Sequence, residues 1–320
     1  MKNKRQVSSF QFSVPGPTAN RKPQTENSKL KTVNRERGFT LVEIIIVIVI
    51  TGIIGAMVAV FLRSPILQYM DVARRAEMTD TADTALRRIG RDLRLALPNS
   101  VRVTGSCDGV SPCFIEFLPT KGGGRYRAGT GGTGNELDFA ATGDDSFEVL
   151  GPMPAMVAGA MPDQIVVYNL GITRPAICPA PLPATCGSDA YQGDNRAAYI
   201  SNTANTITIV NRQFPFDSPG HRFHVINTPV SYVCAPAVGG EGGTLTRWQG
   251  YAIQSGQPVT LPSTGTPSSA LLATQVSSCR FTYDPYVVAQ RSGLVTLQLG
   301  ISKGEETVTL YSAAHVSNQP

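Results

Sequence analysis

An apolar run of 24 residues near the N-terminus limits what this chain can become. It extends from Phe39 to Leu62, and Glu43 is its only charged residue. A helix needs about 20 residues to cross the hydrocarbon core of a membrane, whereas the apolar core of a secretory signal has only about 7–15 residues and ends at a cleavage site of small residues. The run therefore predicts one transmembrane helix over residues 39–62.

The net charge of +5 belongs entirely to residues 1–38. That segment has nine basic and two acidic residues, a net of +7, whereas the rest of the chain has nineteen basic and twenty-one acidic residues. Because basic flanks stay in the cytoplasm, we expect a cytoplasmic leader and a C-terminal domain on the other side of the membrane. The slightly acidic remainder argues against nucleic acid as a partner.

Glu43 places a carboxylate within the predicted membrane span, where a charge is unfavourable. Placing an acid inside a span costs roughly 2.5–3.5 kcal/mol on insertion scales, and such residues usually serve a function. One interpretation is that Glu43 lies near the interface and reaches water. The other is that the working chain begins at Phe39, because its new amine would then lie one helical turn before Glu43 and pair with it, within one chain or between neighbours.

The residues around this acid resemble a processing signal. The sequence Arg37-Gly38-Phe39-Thr40-Leu41-Val42-Glu43, followed by the apolar run, is similar to the type III signal of type IV pilins and type II secretion pseudopilins. The resemblance implies that a prepilin peptidase cleaves after Gly38 and that Phe39 becomes the N-methylated first residue. It also implies that Glu43 pairs with the amine of a neighbouring subunit, and that the chain sits in the inner membrane before it enters a filament.

The helix is predicted to continue beyond the membrane over residues 63–97. Apolar residues recur there every three or four positions, which is typical of one buried helix face, and Pro98 is expected to end the helix. Pro65 is expected to kink it. The opposite face carries arginines that form either a solvated surface or contacts with acidic patches of neighbouring subunits: Arg87, Arg88, Arg91 and Arg94.

Residues 98–320 are predicted to form an antiparallel β-rich domain. Short alternating runs are separated there by Gly and Pro, and one of them is Glu136–Phe139. The last two runs flank Ser302–Glu305 and predict a hairpin. The predicted fold class is α+β, with the second half of a long N-terminal helix packed on this domain and the first half protruding. The ranges expected to be loops are 122–134, 175–183 and Val238–Gly243.

All six cysteines follow the apolar run: Cys107, Cys113, Cys178, Cys186, Cys234 and Cys279. An even number on the periplasmic side indicates three disulfides, for which 15 connectivities are open. The favoured pairs are Cys107–Cys113 and Cys178–Cys186, which close small loops, and Cys234–Cys279, which joins two predicted strands.

The sequence supports no catalytic, cofactor or metal site. A GxGxxG pattern at 129–134 precedes a strand-like run and not a helix, so it does not predict a nucleotide site. His221 and His224 would face opposite sides of a strand, and Asp144-Asp145 fits a solvated turn better than a calcium loop. We therefore predict no cofactor, no metal and no enzymatic activity.

Two further segments resemble minor pilins of the MshO type, from MSHA (mannose-sensitive haemagglutinin) pili. They are residues 87–102, and the C-terminal strands over 293–299 together with 314–320. The resemblance implies a structural subunit of a pilus, with prepilin peptidase and other pilins as partners. Three alternatives stay open: a type II secretion minor pseudopilin of the J type, a tip adhesin and a DNA-uptake pilin.

Overall fold

Helix α1 extends from Leu41 to Leu93 in the computed structural model, which describes residues 38–129, 134–140, 143–173, 187–288 and 292–320. The chain divides into two compact units, Met1–Leu62 and Arg63–Pro320. In the first unit, every described side chain is exposed. Among the described residues, fourteen strands in the second unit and one long, N-terminally apolar helix make this an α+β chain whose C-terminal domain is rich in antiparallel sheet.

The helix has a defined beginning. The Thr40 hydroxyl accepts a hydrogen bond from the backbone N–H of Glu43, at 3.2 Å, and the Thr40 carbonyl accepts the first intrahelical bond from Ile44. Threonine is a favoured residue at this position because its side chain satisfies an N–H group that the helix leaves without a partner. Pro65 lies inside the helix.

The end of the helix differs from the prediction by four residues. Helix α1 ends at Leu93 and not at Leu97. The N–H of Leu97 donates to the Leu118 carbonyl at 2.7 Å, and the N–H of Thr120 donates to the Leu95 carbonyl at 2.7 Å. These bonds to a neighbouring segment replace the next helical turn, so tertiary contacts end the helix before Pro98 does.

The strands are numbered along the chain, and the elements are β1 (Arg102–Gly105), β2 (Cys113–Phe117), β3 (Thr120–Arg125), β4 (Asp144–Glu148), β5 (Gln164–Val167), β6 (Arg196–Asn202), β7 (Thr206–Arg212), β8 (Arg222–Ile226), β9 (Val230–Ala235), β10 (Thr244–Tyr251), β11 (Gly265–Thr274), β12 (Val276–Val288), β13 (Ser292–Lys303) and β14 (Glu306–Ser317). They form three sheets with the orders β1-β2-β9-β10-β11, β12-β13-β14 and β3-β8-β5-β6-β7-β4. The strand pairs are antiparallel. The predicted C-terminal hairpin is confirmed, since Lys303 pairs with Glu306 across a turn at Gly304.

The expectation of a loop over 122–134 is wrong at its start. Gly122–Gly124 belong to β3, an edge strand paired with β8. A Cβ on Gly123 would lie 2.6 Å from the Phe223 carbonyl oxygen, so the glycines allow a close approach that larger residues would prevent. Glu136–Phe139 is not a strand, although the N–H of Leu137 donates to the Arg127 carbonyl.

The other two expected loops have different outcomes. Val238–Gly240 forms a short 3-10 turn, with Gly239 and Gly240 at positive φ. The segment 175–183 lies outside the described residues.

The helix face packs against two sheets in one hydrophobic core. Six helix residues are buried: Met78, Ala82, Ala85, Leu86, Ile89 and Leu93. They share a cluster with apolar side chains of the five-stranded and three-stranded sheets, such as Phe117, Tyr232 and Leu297. A separate core lies under the six-stranded sheet and contains Phe147, Phe214 and Phe223. Burial of one helix face anchors the second half of α1 in the domain.

The described residues contain two disulfides, Cys107–Cys113 and Cys234–Cys279. They are two of the three pairs that the sequence favours. Cys234 lies on β9 and Cys279 on β12, so the second bond joins the five-stranded sheet to the three-stranded sheet. The third favoured pair, Cys178–Cys186, lies outside the described residues.

Candidate functional site

The predicted processing residues lie at the start of the described chain. Gly38 and Phe39 precede the helix and are exposed. A Cβ built on Gly38 would meet no described atom within 4 Å, and its φ is not positive. The fold of the described residues therefore does not require glycine here.

Glu43 is the third residue of the helix and the only charged residue in 39–62. Its backbone N–H is capped by Thr40, and its carboxylate lies in the first turn, where the helix dipole favours negative charge. Among the described residues it has no ion pair. The Thr-x-x-Glu spacing is a known signature of a helix start. The role of Thr40 as a helix cap was not predicted, although the Thr-x-x-Glu spacing is visible in the sequence.

The first half of the helix is exposed and apolar. Helix α1 is long and apolar enough to cross a membrane, and its most apolar window has no buried residue. Large side chains such as Val60 and Phe61 are 75% and 78% exposed. A continuous apolar surface of this kind is stable only when lipid or another protein covers it.

Comparison with known proteins gives one match at this segment. The family described as the prokaryotic N-terminal methylation motif matches residues 33–59. The match supports a type IV pilin-like protein. No curated protein and no solved structure matches the chain.

The motif has consequences for the pilin-like chain as a whole. It indicates a structural subunit of a type IV pilus or of a related pseudopilus. It also implies processing by prepilin peptidase and assembly with other pilins, and it is consistent with a single-pass protein of the inner membrane. The matched range includes Gly38, Phe39 and Glu43, while their individual roles stay predictions.

A polar clamp fixes the end of the helix to the five-stranded sheet. The Asp92 carboxylate accepts hydrogen bonds from the Tyr232 hydroxyl at 2.7 Å and from the Arg247 guanidinium at 2.9 Å. Burial, together with the bond to Asp92, raises the pKa of Tyr232. Arg88 lies one helical turn before Asp92, and the two side chains approach to 3.5 Å. The two sheet residues are more than a hundred positions away in sequence, so no local pattern reveals them.

A second pair of contacts ties the C-terminal hairpin to the helix. Arg75 donates to the Glu306 carboxylate at 2.9 Å, and Lys303 donates to Glu77 at 3.0 Å. Arg75, Lys303 and Glu77 are largely exposed, whereas the Glu306 side chain is 17% exposed, and solvent screening makes ion pairs of this kind weak contributors to stability. They orient the hairpin turn without dominating the energy of the interface.

Glu116 forms a buried polar knot inside the five-stranded sheet. Its side chain is fully buried, and Arg102 donates to it at 2.6 and 3.1 Å. Its other carboxylate oxygen accepts from Ser231 at 3.0 Å and from Tyr251 at 2.9 Å. The Arg102 guanidinium also lies 3.6 Å from the centre of the Tyr191 ring. This knot connects strands β1, β2, β9 and β10.

The helix arginines are mostly exposed. Arg87 pairs with Asp83 at 2.6 Å and Arg88 with Asp92, whereas Arg91 and Arg94 are exposed and have no ion pair within the described ranges. This arrangement fits both a solvated surface and contacts with acidic patches of neighbouring subunits.

The other residues considered as ligands do not form a metal site in the described chain. His221 lies before β8 and His224 within it. Asp144 and Asp145 belong to β4 and not to a loop. The described residues contain no group of three or more potential metal ligands.

Proposed function

We propose that the chain is a minor pilin of a type IV pilus of the MSHA kind, resembling MshO. Prepilin peptidase cleaves it after Gly38, and Phe39 becomes the methylated first residue. Residues 39–62 hold the subunit in the inner membrane, with the leader in the cytoplasm and residues 98–320 in the periplasm. The apolar half of the helix then enters the filament.

The observation that carries this proposal is the methylation motif at residues 33–59 on a helix whose first 22 residues, Leu41–Leu62, contain one charge. The apolar residues suit lipid and a helical filament core equally well, so moving between the two costs little. Glu43 suits neither without a cation, because an unpaired carboxylate away from water costs several kcal/mol. The amine of a processed neighbour supplies that cation.

The second unit fits the role of a subunit that carries a large folded domain. The buried helix face and the clamp at Asp92 fix residues 78–93 to the sheets. A mechanical force on the second half of the helix is therefore carried by the hydrophobic core that the helix shares with the two sheets. The disulfide between Cys234 and Cys279 adds a covalent link between the two sheets that contact the helix.

The pairing role of Glu43 is tested with Glu43→Gln, which keeps the shape and removes the charge. We expect normal membrane insertion and cleavage, but at least a tenfold loss of the subunit from sheared pili, because about 1.4 kcal/mol already equals a factor of ten. The matched control is Val47→Ala, one turn further along the same face, which should assemble normally. Immunoblots of membrane and filament fractions give the readout.

Three results would contradict this assignment. Normal amounts of Glu43→Gln in filaments would refute the pairing role. If mass spectrometry found that the membrane-bound chain begins at Met1, cleavage would be refuted. If the chain began at Phe39 without a methyl group, methylation would be refuted.

A deletion strain distinguishes the pilus from the pseudopilus. Loss of surface pili with intact protein secretion is the result expected for a minor pilin. Loss of secretion with intact pili would instead assign the chain to a type II secretion pseudopilus.

A further inference from the structure

A basic cleft lies over strands β3 and β8 at the edge of the six-stranded sheet. It encloses about 550 Å³, and its polar lining includes Lys121, Arg125, Arg222 and His224. The cleft is far in sequence from the methylation motif, and nothing in the proposed assembly role requires it.

Two arginines face each other in this cleft. Arg125 and Arg222 are direct cross-strand partners in the pairing of β3 with β8. Both are exposed, and neither has an ion pair in the part of the chain that the structure describes. Directly opposed like charges destabilise a sheet, so this arrangement costs the fold stability unless an anion lies between them.

A glycine opens the space beside the arginines. Gly123 is the cross-strand partner of His224, and it occupies the position between Lys121 and Arg125 on the same face of β3. A Cβ there would lie 3.6 Å from Nδ1 of His224. The missing side chain keeps the floor of the cleft at the level of the backbone.

His224 has an unsatisfied nitrogen. Its Nε2 atom is buried and has no hydrogen-bond partner within the described ranges. Burial, and then the charge of Arg222, lower the pKa of His224, so the ring is neutral at pH 7. His224 lines the cleft, and a neutral imidazole offers one N–H donor, which gains most from an acceptor where it is shielded from water.

The carboxylate of Asp163 is already occupied by other donors. Asp163 is fully buried and accepts hydrogen bonds from Lys121 at 2.7 and 2.8 Å, from Asn227 at 2.7 Å and from the backbone of Val157 at 2.8 Å. Its carboxylate is therefore saturated, and Lys121 is held in the wall of the cleft. Arg125, Arg222 and His224 are left to face an external ligand.

We propose that Arg125, Arg222 and His224 bind a tetrahedral oxyanion, either a sulfate or a phosphate group. Two guanidinium groups and one N–H donor need three or more oxygens, which a sulfate or phosphate presents and a carboxylate does not. The Phe223 ring is buried in the core, so the cleft lacks an exposed aromatic platform for stacking a nucleic-acid base. The oxyanion comes either as a free ion or as a sulfate group on a polysaccharide.

Titration calorimetry on the full chain in a non-ionic detergent tests the site. The probes are inorganic phosphate, inorganic sulfate and a heparin-derived oligosaccharide. The variant is Arg125→Gln with Arg222→Gln, and the matched control is Arg91→Gln with Arg94→Gln, which removes the same charge from the helix. We expect the cleft variant to weaken binding about tenfold or more, since a hydrogen bond to a charged group is worth roughly that factor, and the control to bind as the unchanged chain does.

The outcomes separate the possible sources and the failure of the idea. Binding of a free ion identifies a small-anion site, whereas binding of the oligosaccharide alone identifies a sulfated polysaccharide as the ligand. An equal loss in the cleft variant and in the control would show attraction to charge in general and would overturn the proposal, as would no binding of any probe by the unchanged chain.

A stability measurement distinguishes an anion-binding role of the two arginines from a structural role. In the absence of oxyanions, the cleft variant should unfold at the same temperature as the unchanged chain or slightly above it, because cross-strand repulsion is removed. A clear drop in that temperature would mean that the arginines support the fold, and it would count against the site.

Discussion

Glu116 is the buried charge on which the five-stranded sheet depends most. It accepts four hydrogen bonds, two from Arg102 and one each from Ser231 and Tyr251, and its side chain has no exposed surface. Removing one partner of a buried pair costs about 3–5 kcal/mol, because the other charge is left without compensation. Arg102 would keep only its bonds to the carbonyls of Gln254 and Ser255.

The change Glu116→Gln separates charge from shape. It keeps the side-chain volume and one acceptor oxygen, so we expect a loss of about 1.5–3 kcal/mol from the weaker bonds to Arg102. Glu116→Leu removes every acceptor and should cost the full 3–5 kcal/mol or so. The free energy of unfolding is measured by denaturant titration of the full chain in detergent, with circular dichroism as the signal.

A matched control exists on the helix. Asp83 accepts a 2.6 Å bond from Arg87, but the two side chains are 44% and 79% exposed. Asp83→Asn makes the same carboxylate-to-amide change and should leave the free energy of unfolding nearly unchanged, because solvent screens an exposed pair. If Glu116→Gln cost no more than Asp83→Asn, burial would not amplify the pair and the reasoning would be refuted. A double-mutant cycle with Arg102→Met then measures the coupling directly.

Two more predictions concern pH and the disulfides. Because the folded state lowers the pKa of His224 below its ordinary value of 6.5, the unfolded chain binds the proton more tightly, and stability should fall as the pH drops through 6.5 towards the folded value. The difference between the free energies of unfolding at pH 7.5 and at pH 5.5 should be smaller in His224→Gln than in the exposed control His315→Gln. Equal differences would show that His224 does not cause the pH dependence. Replacing both cysteines of the Cys234–Cys279 bond, which has a sequence separation of 45, should lower the unfolding free energy by about 4 kcal/mol. Replacing those of Cys107–Cys113, which has a separation of 6, should lower it by about 2 kcal/mol, because a shorter loop restricts the unfolded chain less. A larger loss from the short loop would contradict this account.

Local signals predicted the elements whose causes are local. The C-terminal hairpin followed from the two alternating runs on either side of Ser302–Glu305. The short Cys107–Cys113 bond followed from spacing. Each depends on residues only a few positions apart, and sequence reading samples that range well.

Strand β3 shows where the local signal failed. Three consecutive glycines argue for a loop, and the sequence contains no sign that β8 lies beside them. The close approach of the Phe223 carbonyl to Gly123 makes those glycines the residues that the pairing requires.

The sequence by itself determined the apolar first half of the helix, its single carboxylate and the processing motif, because these depend on composition and on contiguous residues. Tertiary structure alone decided that the helix ends at Leu93, that Asp92 meets Tyr232 and Arg247, and that Arg125 faces Arg222 beside His224. These arrangements bring together residues tens to more than a hundred positions apart. Their energies come from burial and pairing that exist only once the sheets have formed.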